Sequence, residues 1–266
     1  MLRCRPDPLP LGERIANVCW RAPMFFLATA FFGSLSLISS LWDKPGSLQH
    51  RIAQRWGRAV TRISGARLKV LNGDRLDGRV AVYCSNHLSY ADTPVLFGVL
   101  PFQFRIVARH ELFRLPFIGW HLTRSGQVPV NVSNPRASIS SLSSAVKTLR
   151  SGMPVFIFPE GGRTETGHVE DFLNGPAFMA IRASVPIIPM ALIGTHELLP
   201  IHSAQFHPVP VTLAVGEPIE TCEYSLKQID ELTERVREAI SRLYYEHSYL
   251  KPPVPVGDPE SAEKCQ

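Results

Sequence analysis

The chain predicts an α/β fold, with a central, mostly parallel or mixed sheet flanked by helices and an N-terminal membrane-associated helical segment. Three observations predict it. From about residue 67 onward, short apolar runs alternate with helix-like stretches, the order expected of strands joined by crossover helices. A run without a single charge, residues 24–42, precedes them. The length of 266 residues, 45% of them hydrophobic, is enough to bury one large core with appendages.

The N-terminal elements come first. A helix over residues 24–42 would be roughly 28 Å long, the thickness of a bilayer's hydrocarbon core. A signal peptide would begin its apolar region sooner than after a 23-residue lead, and a buried core helix is the other alternative. Arg3, Arg5, Arg14 and Arg21 precede this run, and Lys44, Arg51, Arg55, Arg58 and Arg62 follow it. Because both flanks are basic, charge bias selects no orientation, and crossing and re-entry both stay open. The net charge of +5 is gathered here, which reads as attraction to a bilayer and not as a nucleic-acid footprint. Residues 47–64 then repeat Leu48, Ile52, Trp56, Val60 and Ile63 at helical spacing beside the Arg51, Arg55, Arg58 and Arg62 stripe. This amphipathic helix suits an anionic membrane surface, or equally a packed helix with a solvated basic face.

Strands are expected at Leu68–Leu71, Val80–Cys84, Phe104–Ala108, Val128–Val132, Val155–Phe158, Ile187–Ile193 and Val211–Val215. Helical patterns fall at 92–100, 136–150 and 175–184, and a last helix runs from Ser225 to Tyr249 with Ile229, Leu232, Val236, Ile240 and Leu243 on one face. The domain division is a basic lead (1–23), an anchoring segment (24–64), an α/β domain (65–250) and a proline-rich disordered tail (251–266). The cysteines, Cys4, Cys19, Cys84, Cys222 and Cys265, form no Cys-x-x-Cys pair or Cys/His cluster. They read as reduced thiols of a cytosol-facing protein with no zinc or other metal site.

Two motifs about 70 residues apart carry the chemistry. The first is Asn86-His87-Leu88-Ser89-Tyr90-Ala91-Asp92. On one helix, His87 and Asp92 would sit ~140° apart, so they meet only if His87 lies on the turn before the helix and Asp92 in its first turn. Ser89-x-x-Asp92 is a candidate capping arrangement there. Asp92 would then fix the tautomer of His87 and leave the second imidazole nitrogen to take a proton; otherwise Asp92 is only a helix cap. The second motif, Phe158-Pro159-Glu160-Gly161-Gly162-Arg163-Thr164, follows a strand. Pro159 ends the strand, Gly161 and Gly162 allow a tight turn, Arg163 can grip a phosphate, and Glu160 can orient a hydroxyl or hold the loop. Arg109, His110 and Arg124 lie in neighbouring loops as either site or surface charge. His121, His196 and His202 have no partner at a diagnostic spacing.

In this order the two motifs resemble the glycerolipid acyltransferases, most nearly the 1-acyl-sn-glycerol-3-phosphate (lysophosphatidic acid) type. The resemblance covers residues 65–220. It includes Val185-Pro186-Ile187-Ile188-Pro189 and the segment Glu111-Leu112-Phe113 through Pro116-Phe117-Ile118-Gly119-Trp120. It implies that His87 is the general base and Asp92 its orienting acid. Glu160, Gly161, Arg163 and Thr164 would bind the acceptor, with Asn86, Ser89, Arg124 and Arg136 in support. It also implies an acyl donor carried on coenzyme A or acyl carrier protein, a lysophospholipid acceptor, no bound cofactor or metal, and a place on the bacterial inner membrane with the catalytic domain facing the cytoplasm.

One block departs from the pattern, because Val132 stands where the family usually carries an Arg. Either Arg124 or Arg136 compensates, or the acceptor is another lyso-lipid, such as one linked to an amino acid. A lipase or thioesterase would need a serine nucleophile, and no Gly-x-Ser-x-Gly elbow is present. A lipid-binding adaptor without catalysis would not need both His87 and Asp92. Direct attack by the acceptor hydroxyl is therefore expected, with Cys84 and Ser89 as the rival nucleophiles.

Overall fold

The computed structural model describes residues 9–43, 46–115, 118–131, 135–203 and 205–253, and the side chains of 135–139 are not among what it describes. Arg3, Arg5, Lys44, Pro116, Phe117, Val132, Cys4 and Cys265, the side chain of Arg136, and the tail from residue 254 onward lie outside the described residues.

The N-terminal part is helical. Helix α1 (Leu11–Ala16) passes through a π-turn at Asn17–Arg21 into α2 (Ala22–Ser39), and α3 (Ser47–Ser64) turns back beside it. The α/β part follows as β1 (Arg67–Leu71), β2 (Val82–Ser85), α4 (Asp92–Val99), β3 (Arg105–Arg109), α5 (Ile118–Arg124) and β4 (Val128–Val130). It continues with α6 (Pro135–Arg150), β5 (Val155–Ile157), α7 (Gly175–Ala183), β6 (Ile187–Ile193), α8 (Thr195–Leu198), β7 (Pro210–Val215) and α9 (Ile229–His247).

The seven strands form one sheet in the order β1-β7-β6-β2-β5-β3-β4. Every neighbouring pair is parallel except β6 and β7, so the sheet is mixed, as the alternating pattern predicts. All seven residues of β6 are buried, which is why that segment reads as a continuous apolar run: a central strand is covered on both faces. Side chains alternate across the sheet. Tyr83, Phe156, Ile188 and Leu213 face the layer that holds α3 and α4. Val82, Cys84, Ile157 and Ile187 face α6, α7 and α9. Three expected strands run shorter than their apolar residues. β4 is described only to Val130, β2 begins at Val82, and β5 stops at Ile157 and releases Phe158 to the site. The last helix begins at Ile229 after a 3-10 turn, because Ser225 and Gln228 form a capping box there. Helices α1, α5 and α8 were not foreseen; they are too short to show a period.

Helix α3 lies against α4, and Trp56 Nε1 donates to Thr29 Oγ1 of α2 at 3.1 Å. Its inward face is Ile52, Ala53, Gly57, Val60 and Thr61, while Leu48 stays exposed. One face of the helix is thus packed, with Arg51, Arg55 and Arg62 exposed on the other, while Arg58 Nε donates to Gly98 O at 3.0 Å. Helix α2 is tied down along its length. Asn17 Nδ2 donates to Phe206 O and Phe206 N donates back to Asn17 Oδ1, both at 2.9 Å. At the other end Ser36 Oγ meets His121 Nδ1 at 2.7 Å, and Arg124 donates to Ser40 Oγ at 3.0 Å.

The α3–α4 crossing gives a sharp test. Ala at position 57 would improve helix propensity by up to about 1 kcal/mol. Its Cβ would lie 2.4 Å from Pro94 O and 2.6 Å from Gly98 N, backbone atoms that cannot swing aside. Overpacking costs about 1–3 kcal/mol. Gly57→Ala should therefore lower the melting temperature in detergent, and an unchanged value would show that the two helices part freely.

Candidate active site

The parallel pairing of β2 with β5 explains why motifs far apart in sequence meet. Val82, Tyr83 and Cys84 lie beside Val155, Phe156 and Ile157, so both strands deliver their following loops to the same sheet edge. The carboxyl end of parallel strands is where α/β folds collect ligands. His87 follows β2, and Glu160 follows β5.

Asn86 is fully buried and acts as a peptide of the sheet. Its Nδ2 donates to Leu192 O at 2.9 Å, and its Oδ1 accepts from Leu192 N at 2.8 Å. The chain then turns, and Asp92 opens α4 with its side chain fully buried. Asp92 Oδ2 accepts from His87 Nδ1, Leu88 N and Ser89 N, each at 2.8 Å. The two backbone donors precede α4, whose N-cap position is Ala91 with no side-chain cap bond, so Asp92 acts as the orienting acid and gathers the turn, and the helix-cap alternative does not describe it. The expected Ser89-x-x-Asp92 capping arrangement does not form, because α4 begins only at Asp92: the Ser89 N–H goes to Asp92, while Ser89 Oγ accepts from Ala91 N at 3.1 Å and donates to Leu199 O at 2.7 Å. Because Nδ1 donates to a carboxylate, the acceptor lone pair of a neutral His87 is on Nε2. Among the described residues Nε2 has no hydrogen-bond partner. Phe158 stacks on the imidazole at 3.9 Å and 13°, which fixes the ring plane.

The second motif closes on the peptide of His87. Glu160 Oε2 accepts from His87 N at 3.3 Å, and Thr164 N donates to His87 O at 3.3 Å. Gly161 has φ +69°, a left-handed conformation that glycine adopts at little cost. Thr164 is buried and donates to Glu170 Oε1 at 2.8 Å. Arg163 is exposed, its guanidinium 3.7 Å from the centre of the Tyr90 ring. Arg124 is directed to Ser40 at the end of α2 and so supports the helical hairpin. Arg109 lies near Glu111, at 3.5 Å.

Burial pushes the Glu160 carboxyl up to about 9, opposed by the bond from His87 N and reinforced by the charge of Asp92. Its Oε1 is buried without a partner among the described residues. At neutral pH Glu160 therefore keeps its proton. Cys84 is fully buried, and burial raises its thiol far above the usual range, so it offers no thiolate. Tyr90 and Phe158 are the site residues that motif spacing did not reveal. Nothing in sequence distance links Tyr90 to Arg163.

Against this geometry stand three comparisons. The model of the Acyltransferase family matches residues 67–193, the span that holds both motifs. Over that span the chain is similar to the acyltransferases. Among its relatives, the 1-acyl-sn-glycerol-3-phosphate acyltransferase of Limnanthes douglasii is 29% identical over 187 residues, 70% of this chain and 66% of its own. That of Chlamydomonas reinhardtii is 28% identical over 243 residues, 89% of this chain and 71% of its own. The chain spans 61–71% of the length of the first four curated relatives it matches. The crystal structure of the 1-acyl-sn-glycerophosphate acyltransferase PlsC from Thermotoga maritima superposes with a TM-score of 0.74 at 24% identity, covering 86% of this chain and 95% of that one. This likeness establishes the shared fold.

The state of Glu160 predicts a pH dependence. The unfolded carboxyl releases its proton near 4.5 and the folded one near 9. Between those values unfolding releases a proton, so stability falls as pH rises. Glu160→Gln cannot ionise, and its melting temperature should gain on the wild type progressively from about pH 5 to 9. A pH-independent difference would mean that Glu160 is ionised in the folded protein.

Proposed function

We propose that this protein transfers a fatty acyl group from an acyl thioester to the sn-2 hydroxyl of lysophosphatidic acid, forming phosphatidic acid. The observation that carries the proposal is the 2.8 Å bond from His87 Nδ1 to Asp92 Oδ2, with Nε2 left for a hydroxyl and Arg163 alongside. Nε2 takes the hydroxyl proton as the oxygen attacks the thioester carbon. The carbon–sulfur bond then breaks, and the imidazolium returns the proton to the leaving thiolate. No acyl-enzyme is needed: Ser89 Oγ is engaged by Leu199 O and Ala91 N, and Cys84 stays a buried thiol. Arg163 holds the acceptor's phosphate, and Gly161 and Thr164 shape the loop that presents it. The donor is acyl-CoA or acyl carrier protein. Val132 at the family's usual Arg position, together with the engagement of Arg124 by Ser40, supports a second reading in which the acceptor is a different lyso-lipid.

The same reading places the catalytic domain on the cytoplasmic face of a membrane. Leu11–Ser39 is a helix long and apolar enough to cross, with a mean hydropathy of 1.6 and 11% of its most apolar window buried. Its outer face shows Phe26 (68% exposed), Phe31 and Ile38, with Trp42 beyond it and Ile118 and Trp120 of α5 alongside. Both of its ends are bonded to the α/β domain, through Asn17 and through Ser36. A helix held in this way supports embedding flat in one leaflet with Arg51, Arg55 and Arg62 at the headgroups, and not crossing.

Two outcomes test these statements. In detergent, with labelled acyl thioester and a panel of lyso-lipids, His87→Ala should reduce turnover by about 10²–10⁴-fold, with Asp92→Asn also impaired. Phosphatidic acid should form from lysophosphatidate. His87-dependent transfer to another lyso-lipid alone would replace the acceptor, and His87-independent turnover would sink the mechanism. In sealed vesicles, with Cys4 and Cys19 replaced by Ser, Gly12→Cys and native Cys222, both exposed positions, should react with an impermeant maleimide from the same side; opposite sidedness would mean that the helix crosses.

A further inference from the structure

We infer that Tyr90 is a positioning residue for acceptor recognition, holding the Arg163 guanidinium for an anionic phosphate without consuming its hydrogen-bond donors. The inference rests on the reading of Arg163 as the phosphate ligand and extends it to a residue for which motif spacing supplies no role.

The local arrangement around Arg163 is unusual for an arginine in a loop rich in acids. Glu160, Glu165 and Glu170 all lie within seven residues of it, yet each is engaged elsewhere. Glu160 Oε2 accepts from His87 N. Glu165 Oε1 meets His202 Nε2 at 3.1 Å. Glu170 Oε1 accepts from Thr164 Oγ1 at 2.8 Å and from Thr166 Oγ1 at 3.3 Å. Among the described residues Arg163 makes no hydrogen bond or ion pair; its partner is the face of Tyr90, at 3.7 Å.

A carboxylate partner would occupy two guanidinium N–H groups, cancel the charge and compete with an incoming phosphate. An aromatic face attracts the same cation through its quadrupole and leaves every N–H at the rim of the plane free. Tyr90 is 57% exposed, so its ring contributes little to the core. Its place is set by the neighbouring Ser89 and Ala91, whose backbone is drawn in by Asp92 Oδ2 and Ser89 Oγ. The catalytic turn thus carries the base inward at His87 and the platform outward at Tyr90. The hydroxyl and the phosphate of one acceptor are thereby referred to the same five-residue turn.

The test is a kinetic comparison in mixed micelles of the full chain, using lysophosphatidate as the acceptor and measuring acceptor KM, donor KM and kcat separately. Tyr90→Leu keeps apolar bulk and loses the π-face. It should raise acceptor KM about two- to fivefold, the value of an exposed cation–π contact, with donor KM and the pH profile of kcat unmoved. Tyr90→Phe and Tyr90→Trp keep the face and should restore the wild-type acceptor KM. In an Arg163→Gln background, Tyr90→Leu should add nothing. An acceptor KM unchanged in Tyr90→Leu, or a Tyr90→Leu effect that persists without Arg163, overturns the inference alone. An acceptor KM unchanged in Arg163→Gln overturns both the inference and the phosphate reading beneath it. Tyr90→Leu that lowers only kcat, with no rescue by Tyr90→Phe, assigns Tyr90 a merely structural part and also overturns it.

Discussion

A single buried oxygen, Asp92 Oδ2, organises the candidate site. A carboxylate cut off from water is costly unless donors replace the water, and here three N–H groups converge on one atom. Two of them are backbone groups of the turn that precedes α4. The same bonds therefore shape the turn and aim the imidazole. Removing this acceptor would leave the donors facing an apolar interior, so stability and chemistry depend on the same atom.

Around that atom the two motifs interlock through the backbone of His87. Its N–H goes to Glu160 and its C=O receives Thr164 N–H, so the loop after β5 can take its place only when the turn after β2 is formed. The stack of Phe158 on His87 completes the cage. The apolar N-terminal helix reaches the same region by a different route. Asn17 grips the backbone of Phe206, His207 N donates to Leu198 O at 2.8 Å, and Leu199 O accepts from Ser89 Oγ. The segment between β6 and β7 is thus shared by the apolar helix and the catalytic turn. In the proposed function this arrangement sets the height of His87 above the bilayer plane, where a lipid hydroxyl must meet a thioester.

Much of this was legible in the chain. The run Ile187–Ile193 is a strand with the expected bounds, and residues 47–64 form one helix, because burial on both faces of a strand and on one face of a helix leaves a direct imprint on residue order. The meeting of His87 with Asp92 follows from helix geometry and a start signal, both local. Short elements left no such trace: α5 and α8 have too few residues for a period. The inward face of α3 was less legible, because its contact with α4 depends on a small residue, Gly57, and not only on the largest apolar ones. Arg124 was legible as a cation near the site, but the side on which α5 packs turned it toward α2.

By itself, the sequence determined the order of the elements, the apolar N-terminal run and the residue types that can carry acyl transfer. Those depend on periodicity, turn formers and functional groups, which act over a few residues. Only the tertiary structure decided that Glu160 keeps its proton, that Arg163 rests on Tyr90 and not on a nearby acid, and that the apolar helix lies along the domain. Burial, ring stacking and the tie between Asn17 and Phe206 arise between segments 70 to 190 residues apart. Spacing along the chain carries no information about such contacts until the parallel pairing of β2 with β5 brings their ends together.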